Sequence, residues 1–233
     1  MPAERLFDSI KPKTLRDEVV DMLRDAIVSG KLRPGEHLKE NGIAGQMSVS
    51  RSPVREAFRQ LEQEGLIVSV PNQGSFVKEF DEQDIREIFT LRAALESLAC
   101  EIILKNGGPR PADVERLEDY IERQKEAVEA RDLDRLIELD MAFHEFICYK
   151  AGSERLLQMW RSLRSQVLVL FGQRFRTMPD YVPQTVEADH SAILEALRQG
   201  DVELLARRHR EINARVAREC VEIIYSRGEV ETP

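Results

Sequence analysis

Asp140 and His144 stand four residues apart in the run LDMAFHEFI, residues 139–147. On a helix that spacing puts a carboxylate and an imidazole on one face. Ile137, Met141 and Phe143 mark the same helix as largely buried, and a buried polar pair is costly unless something satisfies it. His190 falls on the next helix but one and His209 on the last, so three of the four histidines sit on three separate predicted helices. Facing side chains inside a helical bundle are a natural cage for an ion. One carboxylate with imidazoles suits Zn, Ni, Mn or Fe better than Ca or Mg. Asp140, His144, His190 and His209 are therefore candidate metal ligands, with ordinary buried histidines as the plain alternative. Two histidines and a carboxylate also match the ligand set of non-haem iron enzymes. No positioned base, Gly-rich phosphate loop or G-x-S-x-G motif accompanies them, so the chain is not expected to be an enzyme.

A second chemical signal lies in SRSPVREAFRQL, residues 50–61. Pro53 suits a first helical turn, where its missing N–H costs nothing. Val54, Ala57, Phe58 and Leu61 form an apolar stripe, and Arg51, Arg55 and Arg59 recur every four residues on the opposite face. Guanidiniums at the start of a helix can meet phosphates and read guanine in a bidentate way. Ser50 and Ser52 add short donors, and the helix N-terminus itself favours anions. A solvated arginine face would show the same spacing, so the surrounding elements decide between the two.

Those elements have a definite order. Thr14 can cap a helix with Leu15, Val19, Met22, Leu23, Ala26 and Ile27 on one stripe, closed by Gly30. A short helix from Glu40 to Met47 precedes the arginine helix, which runs from Arg51 to Glu64. Leu66–Val70 and Ser75–Lys78 read as strands around the turn Pro71-Asn72-Gln73-Gly74. Helix, helix, turn, helix and hairpin is the order of a winged helix-turn-helix. Beyond Phe80 only helical periodicity remains, in segments 82–105, 111–130, 132–151, 153–175, 186–199 and 201–226. Short links make these an antiparallel bundle. The fold expected is mainly α, with a winged helix-turn-helix in residues 1–79 and an all-helical antiparallel bundle in residues 80–233.

Charge and composition agree with two different units. The chain carries a net charge of −8 over 233 residues, but the first 80 residues hold equal numbers of acids and bases. The acidity belongs to the second part and leaves room for a local basic face in the first. Cys100, Cys148 and Cys220 lack any CxxC spacing and read as buried free thiols of a reducing cytoplasm. Met1 to Pro12 has no apolar core and is not read as a signal peptide. No uncharged run approaches the roughly 20 residues that span a bilayer, so no membrane partner is expected.

The segment QMSVSRSPVREAFRQLEQEGLIVSVPNQGSFV, residues 46–77, resembles the winged-helix signature of the GntR family of bacterial regulators. The resemblance implies DNA contacts from Ser50, Arg51, Ser52 and Arg55, with Gly74 letting the wing tip approach the minor groove. Asn41 stands where some relatives carry an operator-binding arginine. LRAALESLA at 91–99, LDMAFHEFI at 139–147 and DHSAILEALRQGD at 189–201 are similar to the FCD domain of the FadR subfamily. That likeness implies a divalent metal on Asp140, His144 and His190 beside a small carboxylate effector. The usual last histidine aligns with Ile212, and His209 lies one turn earlier. Arg92 and Glu96 form an i, i+4 pair, either a surface ion pair or, by the resemblance, an Arg92 clamp for an effector carboxylate. Arg174 and Arg176 have the spacing of a solvated helix end, with anion contact the alternative. The function expected is a DNA-binding transcription regulator whose operator affinity is modulated by the effector. A homodimer is expected because helix-turn-helix regulators read paired half-sites.

Overall fold

The computed structural model describes residues 14–180 and 182–228. The stretch Met1 to Pro12, read above for targeting, lies outside them. The chain divides into two compact units between Glu79 and Phe80.

In the first unit, α1 spans Leu15–Val28 behind a capping box in which Thr14 and Asp17 satisfy each other's backbone N–H groups. Val19, Val20, Leu23 and Ile27 form its buried stripe. The short helix α2 covers Glu40–Gln46 and the arginine helix α3 covers Arg51–Gln63. The stripe Val54, Ala57, Phe58 and Leu61 is buried as its spacing requires. Gly65, at φ 69°, ends α3. Its N–H donates to Glu62 and that of Leu66 to Leu61, a Schellman arrangement that satisfies the last carbonyls. The strands are β1, His37–Leu38, β2, Ile67–Val70, and β3, Gly74–Val77. They form an antiparallel sheet in the order β1-β3-β2, with Val70 opposite Gly74 and His37 opposite Phe76. The two-residue strand β1 was not anticipated. Its ring His37 stacks on Phe76, with centroids 4.8 Å apart, and covers one side of the wing.

The second unit contains α4, Glu82–Lys105, α5, Pro111–Glu129, α6, Leu133–Lys150, α7, Glu154–Thr177, α8, Val182–Gln199, and α9, Val202–Gly228. Asp81 with Asp84, Asp132 and Ser153 cap three of these starts, and Pro111 opens α5. The bounds differ from expectation mainly at α8, which begins four residues earlier, and at α7, which runs on to Thr177. Helix α4 is the hub, packing against α6, α7 and α9. Ile85 and Phe89 of α4 are fully buried in the core, as are Phe143, Trp160, Leu170 and Phe175.

Candidate functional site

Two groups of side chains stand apart from apolar packing. The first lies on α3. Arg51, Arg55 and Arg59 are exposed opposite the buried stripe, and Ser50 occupies the N-cap with no side-chain capping bond. Its hydroxyl is therefore not spent on the helix. Ser52 Oγ lies 3.3 Å from Glu56. Glu40 of α2 accepts a fork from Arg55, with Nε at 3.1 Å and Nη2 at 3.0 Å. It also meets Arg51 Nη2 at 3.4 Å. The bond from Arg55 holds the Glu40 carboxyl below its usual range. This carboxylate was not singled out in the sequence, because nothing in the spacing of positions 40 and 55 brings α2 onto α3. At the wing, Gly74 has φ 108°, and a Cβ there would stand 2.7 Å from His37 Nε2. Only glycine fits that backbone beside that ring.

The second group is inside the bundle. Asp140 and His144 of α6 and His190 of α8 bring ligand atoms within 4.8 Å of one another, and all three residues are buried. His144 Nε2 lies 3.0 Å from His190 Nε2, and His190 Nε2 lies 3.3 Å from Asp140 Oδ1. Ligands at about 2.1 Å around one tetrahedral ion stand about 3.4 Å apart, so these separations fit a shared cation.

The outer atoms of the two rings sharpen that fit. His190 Nδ1 is 2.7 Å from Gln124 Oε1 of α5, and a carbonyl oxygen only accepts, so this nitrogen carries the hydrogen. His144 Nδ1 lies 3.0 Å from Glu96 Oε2, where a carboxylate favours an N–H. Both Nε2 atoms are then left with lone pairs pointing at one another. A cation between them would relieve two such lone pairs at this distance. A proton is a poor candidate on His144, because burial pushes its pKa down to about 4 against the pull of Glu96.

Glu96 is the residue that sequence reasoning undervalued. Its Oε1 accepts from Arg92 Nε at 2.7 Å and from Trp160 Nε1 at 3.0 Å. Its Oε2 lies between His144 Nδ1 and His209 Nδ1, the latter at 3.2 Å. The approach is oblique, and none of these three atoms makes a well-directed hydrogen bond. Burial alone would raise the Glu96 carboxyl, but Arg92 and His144 hold it well below the usual carboxylate range. Asp140 is likewise kept low, against burial, by His190 and Arg92.

Arg92 is 3% exposed, which removes the surface ion-pair reading. Besides Glu96 it reaches Asp140 Oδ2 at 3.4 Å, and its guanidinium lies 4.8 Å from the centroid of Phe171. The i, i+4 spacing located the pair but not its burial, which α6, α7 and α9 impose by closing over α4. His209 is fully buried on α9 but turns its Nδ1 to Glu96 and its Nε2 to Cys100 Sγ, 3.6 Å away. Its ring lies 6.5 Å from that of His144, outside the Asp140–His144–His190 group. Arg174 also departs from the solvated reading. It is 2% exposed and bound to Glu219 at 2.5 Å, whereas Arg176 is exposed. The three cysteines are buried and free. Burial, joined for Cys100 by the nearby Glu96, raises the thiol pKa values of Cys100 and Cys220.

A winged helix-turn-helix with exposed guanidiniums, on one chain with a helical unit built around a buried His–Asp centre, defines a DNA-binding regulator with a ligand-responsive domain. The chain belongs to the gntR family of bacterial regulatory proteins, which matches residues 15–77, and carries an FCD domain over residues 87–215. It is a transcription regulator of the FadR-like, FCD-containing kind, and its relatives are regulators, not enzymes. It is 30% identical to the probable D-xylose utilization operon transcriptional repressor of Paenarthrobacter nicotinovorans, covering 85% of this chain and 87% of that protein. It is 32% identical to the gluconate operon transcriptional repressor of Bacillus subtilis (strain 168), over 78% of this chain and 75% of that one. A crystal structure of a GntR transcriptional regulator from Rhodococcus sp. RHA1 superposes with a TM-score of 0.71 at 25% identity, covering 89% of this chain and 97% of that one. Escherichia coli McbR/YncC shares the fold, with a TM-score of 0.67 at 24% identity over 93% of this chain and 99% of that one. Among the described residues no helix is long and apolar enough to cross a membrane.

Proposed function

We propose that this regulator loosens or tightens its grip on operator DNA in response to a small carboxylate bound in the helical unit beside a divalent transition metal. Zn, Ni, Mn and Fe all suit the donor set. Asp140, His144 and His190 would hold the ion, with Gln124 and Glu96 orienting the two imidazoles from outside. Such outer partners fix the tautomer and the ring angle of histidine ligands. The observation that carries the reading is the pair of Nε2 atoms 3.0 Å apart, each with its Nδ1 within 3.0 Å of an oxygen. When bound, the ion supplies open coordination positions for a carboxylate oxygen or water. Arg92, already between Glu96 and Asp140, lies at this centre as the cation for an effector carboxylate. His209, turned toward Glu96 and Cys100, supports the centre through Glu96 and is not a ligand. The protein acts in the cytoplasm as a homodimer.

On the DNA side, Ser50, Arg51, Ser52 and Arg55 would meet the operator in the major groove, with Gly74 at the wing tip beside the minor groove. The test is a mobility-shift titration on operator DNA from the chain's own upstream region, with and without gluconate, the sugar acid suggested by one relative, and other small carboxylates. A carboxylate that shifts operator affinity in wild type but not in His190→Ala is the expected result. Operator affinity indifferent to every carboxylate, with and without added metal, would remove the sensor reading.

A further inference from the structure

The wing hairpin is built without charge. From Ile67 to Val77 it reads IVSVPNQGSFV, with no acid, no base and no histidine. Yet the phosphates that flank a groove are met by cations, and they dominate the affinity of DNA-binding proteins. The single ionisable side chain on the three strands of this sheet is His37, which β1 brings from outside the hairpin.

His37 lies opposite Phe76, but its ring reaches along β3 toward the turn. Stacking on Phe76, with the two planes 22° apart, fixes the direction of the ring. Nε2 comes so close to Gly74, the first residue of β3, that a Cβ there would stand 2.7 Å away. His37 is exposed, and among the described residues neither ring nitrogen has a hydrogen-bond partner. The charged side chains of the adjoining segments lie off the strands. Glu36 accepts from the Arg33 N–H at 2.9 Å, and Glu40 holds Arg55. Glu79 lies against Gly35, Lys39 stands where the chain turns into α2, and Lys78 follows β3.

We infer that the His37 imidazole is a DNA contact lent to the wing by β1, with Nε2 donating to a backbone phosphate at the edge of the minor groove. The inference rests on the placing of Gly74 beside that groove, proposed above, and adds the cation that the hairpin lacks. A phosphate beside an imidazole favours its charged form, so the bound state takes up a proton and affinity rises as the pH falls.

Fluorescence anisotropy of the full chain on DNA from its own upstream region, titrated with KCl at about pH 6 and about pH 8, tests this. Each phosphate met by a cation adds about 0.9 to the slope of log affinity against log salt. The wild-type slope should be steeper at the lower pH, by up to about 0.9 for each chain bound. His37→Gln should remove that difference and bind more weakly at the lower pH. His37→Lys carries a cation at both pH values and should give the steeper slope at both, a gain that a misfolded wing could not produce. Other titrating groups are common to the three proteins and cancel in the comparison. Equal slopes for wild type and His37→Gln at the lower pH overturn the contact. Gln73→Glu, which sets an anion on the wing turn, then tells why. If it weakens binding, the wing meets DNA without His37; if it does not, the wing itself is not at the DNA.

Discussion

Replacing His190 by alanine removes one imidazole from the buried centre, and its effect on metal-dependent stability can be worked out. An ion that binds only the folded chain stabilises it by RT ln(1 + [L]/Kd), about 2.7 kcal/mol at a hundredfold excess over the dissociation constant. The helical unit, Phe80–Pro233, is about 150 residues. At ~2.1 cal/mol/K per residue its unfolding entropy is about 0.3 kcal/mol/K, so each kcal/mol moves the melting temperature by about 3 °C. Wild type should therefore melt about 8 °C higher with Zn or Ni in excess than after exhaustive chelation. His190→Ala should show almost none of that difference. The absolute melting temperature of the variant is a poorer readout. The ring is 2% exposed and stacks on Phe143 with centroids 4.2 Å apart, so its loss leaves a cavity whatever the metal does. The comparison is metal-loaded against chelated, by calorimetry, together with elemental analysis of untagged protein. Equal melting temperatures of wild type with and without Zn, Ni, Mn and Fe, and less than about a tenth of an equivalent bound, would refute the reasoning. The two imidazoles would then share a proton, with the Gln124 amide turned to donate to His190 Nδ1.

Arg55→Ala or Arg51→Ala should weaken operator binding roughly ten- to hundredfold in a mobility-shift titration. The melting temperature should hold, because both side chains are more than half exposed. Glu40→Gln releases the Arg55 fork and removes a negative charge facing DNA. Non-specific DNA should then bind more tightly, and the ratio of operator to scrambled affinity should fall. Arg92→Leu strips the cation from between Glu96 and Asp140, all three buried. Breaking a buried ion pair costs about 3–5 kcal/mol, so the helical unit should melt roughly 9–15 °C lower. An unchanged melt would return Arg92 to the status of a dispensable charge. Gly74→Ala forces a side chain into φ 108° against His37 and should cost about 1–3 kcal/mol in chemical denaturation of the first unit.

The local elements were legible because local rules make them. A capping residue before an apolar 3.6-residue period, a proline in the first turn and a glycine after the last turn predicted α1 and α3 to within a residue or two, and helical periodicity predicted α4. The alternation around Pro71–Gly74 predicted the wing. The face of α3 that holds the arginines follows from helical spacing alone, and so does the shared face of Asp140 and His144. What spacing cannot report is which residues on different helices meet, because that depends on how apolar stripes pack. Thus β1 went unread, since two residues gain a strand only by pairing with β3. Glu40 went unread as the partner of Arg55, and Gln124 and Trp160 as partners of the buried centre. Arg174 looked like a surface charge and Arg92 stood open between a surface pair and a clamp, because a sequence shows a charge but not the helices that close over it. Sequence determined the winged helix, the bundle and the candidate donors. Packing of α8 against α5 and α9, and of α6 against α4 and α5, decided that His190 meets Asp140 and His144, while packing of α9 against α4 turns His209 to Glu96, since a one-turn offset on α9 aims the ring at a different neighbour.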